Sequence, residues 1–162
     1  MNRGLIPIWL IWVPVLLVLQ VTWIARVTGA ETSPDFLLFL SLYGALVFPR
    51  RWALLPALVL GFLADTLSFL PMGLTSVSYL SGAVLVLLCT RFLDPMNRTV
   101  QWVCAVLGTF AAQASMGIAL SVSPQWSLST TTLAGLGAVQ VAWALFLWIP
   151  LVWLLKRNPV SS

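Results

Sequence analysis

Gly61-Phe62-Leu63-Ala64-Asp65-Thr66-Leu67-Ser68-Phe69-Leu70-Pro71-Met72-Gly73-Leu74-Thr75-Ser76-Val77-Ser78-Tyr79 is the stretch on which the fold of this chain turns. It sinks one carboxylic acid, Asp65, into an apolar run, reverses at Pro71 and Gly73, and re-enters an apolar run that carries Tyr79. At membrane depth a carboxylate costs roughly 2.5–3.5 kcal/mol on insertion scales, so it demands a partner or a purpose. Gly61 lies one helical turn before Asp65 on the same face, where a missing side chain lets a second helix come close. The stretch therefore reads as a helical hairpin inside a bilayer.

Composition agrees with that reading. Of 162 residues, 60% are hydrophobic and only 7% charged, and the mean hydropathy is +1.02. Soluble domains hold about 25% charged and about 45–50% apolar residues, so the chain falls in the integral-membrane class. Nine tryptophans fit a protein with two membrane–water boundaries to decorate. The net charge of +4 is better explained by basic loops that orient a membrane protein than by nucleic acid, and no nucleic-acid partner is expected. Cys89 and Cys104 sit near the expected cytoplasmic ends of helices, where thiols stay reduced. With no histidine and no metal-ligand spacing, both read as small packing residues, and no cofactor or metal is expected.

Working outward, six apolar runs are expected to span: about 5–24, 35–48, 52–70, 74–90, 100–121 and 132–155, within a single transmembrane domain. The first is too long for a signal-peptide core and is expected to stay as a helix. Ser33-Pro34-Asp35 gives the second run a start signal, with a serine cap, a proline at the first helical position and an acid in the first turn. That run is short for a span on length alone. Pro56 is expected to kink the third helix or to sit in its first turns. Six crossings with the N-terminus inside place Arg3, Arg50, Arg51, Arg91, Arg98, Lys156 and Arg157 in the cytoplasm and leave only Arg26 outside. Both termini are thus expected to be cytoplasmic, and this charge asymmetry is what supports the short second crossing.

Depth along each helix follows from a rise of about 1.5 Å per residue. Gln20, Asp65, Gln113 and Gln140 then share a level about 20–23 Å from the cytoplasmic side, with Ser76, Ser78 and Tyr79 nearby. Polar groups facing lipid would be unsatisfied, so they are expected to point inward together as a polar tier. Its plain reading is a set of interhelical hydrogen bonds worth about 0.6 kcal/mol each. Its sharper reading is a site for a ligand or a partner helix in the outer half of the membrane. A protonated Asp65 donating to a glutamine is one way such a tier could be satisfied. Catalysis is not expected: there is no histidine, and no carboxylate pair stands at a fixed helical spacing. Asp35, at a helix start, is accounted for by capping and the helix dipole. Gly135 and Gly137 read as close-packing positions rather than as a phosphate loop.

The residues from Pro34 to about Tyr79 resemble the bacterial rod shape-determining MreD family. The features that carry the resemblance are Pro34-Asp35-Phe36-Leu37-Leu38, Tyr43, Pro49-Arg50, Gly61 with Asp65 and Leu67, and Gly73-Leu74. Late in the last span Pro150 and Trp153 also look like that family. The chain departs from it in its Ser68–Met72 connection and in the basic pair Arg50-Arg51, so no loop contact is carried over. The resemblance implies an all-α bundle of six transmembrane helices, similar to the substrate-binding subunits of energy-coupling-factor vitamin transporters. It implies a non-enzymatic subunit of the bacterial inner membrane, within the cell-elongation machinery that keeps rod shape. The implied partners are the MreC scaffold and, through it, the actin-like MreB, the RodA polymerase and its penicillin-binding transpeptidase.

Two functions follow. In the first, the bundle is a scaffold: Asp65, Gly61, Pro71, Gly73, Tyr79, Gln113, Gln20 and Gln140 form a polar tier that is structural or receives a partner's helix. In the second, the tier holds a small molecule, as in a vitamin-binding transporter subunit. Trp23, Trp126 and Tyr79 are candidate pocket aromatics for that role, but no basic residue near the tier would hold a carboxylate. Recovery of wall synthases on affinity purification favours the first, and stabilisation by a vitamin favours the second.

Overall fold

The computed structural model describes residues 5–24, 34–67, 72–93, 97–122, 135 and 137–148. Among them are six helices. The first, α1, is Leu5–Val18 and continues as a π-helical segment, Leu19–Ile24. The others are α2, Phe36–Val47; α3, Leu55–Leu67; α4, Leu74–Phe92; α5, Arg98–Val122; and α6, Gly137–Trp148. Pro71, the 25–33 connection with Ser33, the 123–131 loop with Trp126, and the segment holding Pro150 and Trp153 lie outside the described residues, as does the side chain of Trp23.

Each boundary has a local cause. The hydroxyl of Thr22 donates to the Val18 carbonyl at 2.6 Å, a side-chain competitor for a main-chain acceptor just where the π segment begins. Asp35 caps α2 by accepting from the Leu38 N–H at 3.1 Å. That helix ends at Phe48, whose extended φ of −75° and ψ of 149° suit a residue that precedes a proline. Two tight turns follow, Trp52 N–H to Pro49 and Leu55 N–H to Trp52, so α3 starts three residues later than its apolar run. Pro56 lies in its first turn, where a missing N–H costs nothing. Gly73, with φ of 94° in the left-handed region, opens α4. Asn97 Oδ1 accepts from the Thr99 N–H at 3.0 Å and caps α5.

Side-chain pairings give the topology. Asp65 reaches Gly73 while Gly61 faces Ser76, so α3 and α4 are antiparallel. Ser78 meets Ala112 and Gly82 meets Gly108, so α4 and α5 are antiparallel too. Asp35 pairs with Gln140 and Tyr43 with Trp148, so α2 and α6 run the same way. Gln20, at the far end of α1, meets the start of α2. The result is an up-and-down bundle.

Every residue of α2 from Leu37 to Ala45 is buried, which makes this short helix the centre about which the others pack. Its Tyr43 ring stands edge-on to the buried Trp148 ring, with centroids 6.4 Å apart. Because lipid is as apolar as leucine, helices in a membrane associate through close backbone approach rather than through hydrophobic burial. Glycines supply that approach. A Cβ on Gly61 would lie 2.6 Å from Ser76 Cα, and one on Gly82 would lie 2.6 Å from the Gly108 carbonyl oxygen.

The outward faces are apolar. Phe62, Val77, Phe110, Ile118 and Phe146, spread over four helices, are each more than half exposed. Two helices, α4 and α5, are long and apolar enough to cross a membrane, and α2, α3 and α6 are shorter apolar helices. With the composition, this fits a helical membrane protein.

Candidate functional site

Both carboxylates on the described helices lie at one end of the bundle, where α2 and α4 begin and α3 ends. The exposed arginines 50, 51, 91 and 98 lie at the other end. Each carboxylate is built into a different join.

Asp65 caps a helix that is not its own. It sits in the last turn of α3, 3% exposed, facing the first turn of α4. Its Oδ1 accepts from the Thr75 N–H at 2.8 Å. Its Oδ2 accepts from the N–H groups of Gly73 and Ser76, both at 3.1 Å, and from the Ser76 hydroxyl at 2.6 Å. A helix start leaves its first N–H groups without internal partners and carries a partial positive charge, so an acid there is satisfied and satisfies in return. Gly61 and Gly73 make this possible. The first lets the two backbones touch, and the second turns the chain so that its N–H aims back at Asp65. These donors come from the start of α4, whereas Gln20 and Gln140 bond at Asp35.

Asp35 is the larger junction. Besides capping its own helix it accepts the Tyr79 hydroxyl, which lies 2.6 Å from both carboxylate oxygens. The Gln20 side-chain amide donates to Oδ1 at 3.3 Å, while its carbonyl accepts the Leu37 N–H at 3.3 Å. The Asp35 N–H in turn donates to Gln140 Oε1 at 3.2 Å. Through this one residue and its neighbour, α1, α2, α4 and α6 are tied together at one level. Tyr79, only 2% exposed, crosses the interior to reach it. Pro34, just ahead, is buried.

The expected tier is therefore resolved into two clusters. Gln20, Gln140, Tyr79 and Asp35 meet in one, and Asp65, Gly61, Gly73 and Ser76 meet in the other. Gln113 makes no hydrogen bond to either carboxylate among the described residues. It lies against α6, its Cβ 3.8 Å from where a Cβ on Gly137 would stand. Ser78 bonds to the Ala112 carbonyl of α5 at 2.7 Å instead. Sequence reasoning put Asp35 in the first turn behind a Ser33 cap; Asp35 is itself the cap of a helix that starts at Phe36, and its reach across the bundle was missed. The signal was present, since Asp35 stands at the same end as Gln20, Tyr79 and Gln140. Chemically the arrangement joins helices: both carboxylates act as acceptors for protein donors.

No curated protein and no solved structure matches the chain. The family model described as rod shape-determining protein MreD matches residues 2–158, nearly the whole length, and the chain belongs to that family.

Proposed function

We propose that this protein is a non-enzymatic subunit of the bacterial cell-elongation complex. It spans the inner membrane six times with both ends in the cytoplasm, binds the MreC scaffold, and through it helps position the peptidoglycan synthases. The family match over residues 2–158 carries the reading, because membership assigns a role in rod shape. The geometry supports it in two ways. The intramembrane acids are used to join helices, which suits a scaffold better than a carrier with groups held ready for a ligand. The opposition of a carboxylate end and an arginine end suits a cytoplasmic placement of the arginines.

In this reading the bundle resembles the substrate-binding subunits of energy-coupling-factor transporters in fold, with a partner's membrane helix taking the place of a vitamin. The partner rests against the end built by Asp35 and Asp65. Affinity purification in mild detergent tests the assignment: MreC and the wall synthases, RodA and its transpeptidase, are expected to be recovered. Recovery of a pair of ATPases in their place, or stabilisation by a vitamin at micromolar concentration, would overturn it.

A further inference from the structure

The seam between α4 and α5 holds a pair of thiols that the proposed function leaves unused. Gly82 and Gly108 bring the two backbones together, and beyond them toward the arginine end Val86 packs against Gly108. Continued in the same antiparallel register, the seam sets Cys89 of α4 opposite Cys104 of α5. There Cys89 and Cys104 lie on the facing sides of the two helices, one turn past Val86 and Gly108, and both thiols are free. Cys104 is fully buried and Cys89 is partly accessible. A thiol pair on facing helices, one reachable and one hidden, has the layout of an attacked cysteine and a resolving cysteine.

We propose that Cys89 and Cys104 form an oxidisable dithiol whose disulfide staples α4 to α5. The co-reactant is a small hydroperoxide that permeates the membrane. Its O–O bond breaks as the Cys89 sulfur takes one oxygen, giving a sulfenic acid and releasing water or an alcohol. The Cys104 sulfur then attacks the Cys89 sulfur. An S–S bond forms, the S–O bond breaks, and the oxygen leaves as a second water that carries the Cys104 proton. Two electrons pass from the thiols to the peroxide, and a dithiol reductant restores the pair. The resting state is the reduced one, as expected for a site near the arginine end.

The full chain, purified in detergent, is exposed to hydrogen peroxide, denatured and alkylated, and its intact mass is read. Both thiols are expected to be lost together, the mass to fall by two hydrogens, and dithiothreitol to return both. Phenylarsine oxide, which bridges two sulfurs with loss of water and no redox step, is expected to protect both thiols from alkylation in the untreated protein. Cys104→Ser is expected to keep a single thiol that stops at the sulfenic or sulfinic stage. Three results would overturn the proposal: oxidation of Cys89 with Cys104 still alkylatable, disulfide-linked dimers in place of the intramolecular bond, or no protection by the arsenical.

Discussion

Replacing Asp65 by leucine removes the acceptor for three main-chain N–H groups and one hydroxyl at the start of α4. An unsatisfied buried donor costs about 1–3 kcal/mol. Even at the lower bound, three orphaned N–H groups cost about 3 kcal/mol, and the leucine regains little because lipid offers it the same surroundings. Asp65→Asn keeps one carbonyl acceptor at a position where asparagine caps nearly as well as aspartate, so its loss is expected to stay near 1 kcal/mol. Both variants are unfolded by titration with sodium dodecyl sulfate and followed by tryptophan fluorescence. The leucine variant is expected to unfold well before the wild type, with the asparagine variant between them. Co-purification with MreC is expected to follow the same order, and rod shape to fail in the leucine variant. A leucine variant as stable as the wild type would refute the capping argument. An asparagine variant that is stable yet loses MreC would show the carboxylate being read directly by the partner.

Two further substitutions probe the packing and the second junction. Gly61→Ala places a Cβ 2.6 Å from Ser76 Cα, a backbone atom that cannot swing aside, so a loss of about 1–3 kcal/mol is expected in the same titration. An unchanged midpoint would mean that α3 and α4 are not held at that distance. Tyr79→Phe deletes a 2.6 Å hydrogen bond to a carboxylate without altering shape, with an expected cost of about 1.5–3 kcal/mol. If the Asp35 junction ties four segments, proteolysis near Gln20 should accelerate in this variant, and no acceleration would argue against the tie.

Much of this was legible in the residues. The hairpin at 61–79 could be read from a glycine one turn before an acid and a glycine at the reversal, because close approach and positive φ each admit few residue types. The level shared by Gln20, Tyr79 and Gln140 followed from helical rise alone. What did not follow was which acid they would choose. Asp35 and Asp65 stand at the same end, and rise gives height but not azimuth. Only packing decides which helix faces which, and that also left Gln113 outside the cluster. The facing of Cys89 and Cys104 was hidden for the same reason, since it depends on the register of two helices joined by a basic loop.

The π segment of α1 has a consequence for rotation. A residue added to or removed from a helix turns everything beyond it by about 100° relative to what lies before. Gln20 is pinned to Asp35 and Leu37, so the wide turn sets the clock position of the rest of α1 and brings the buried Leu16 inward. Deleting Leu19, the residue of this segment that lies between Leu16 and Gln20, would keep the glutamine's grip only by swinging Leu16 about 100° out of the protein. The helix is keyed to the bundle by its own winding.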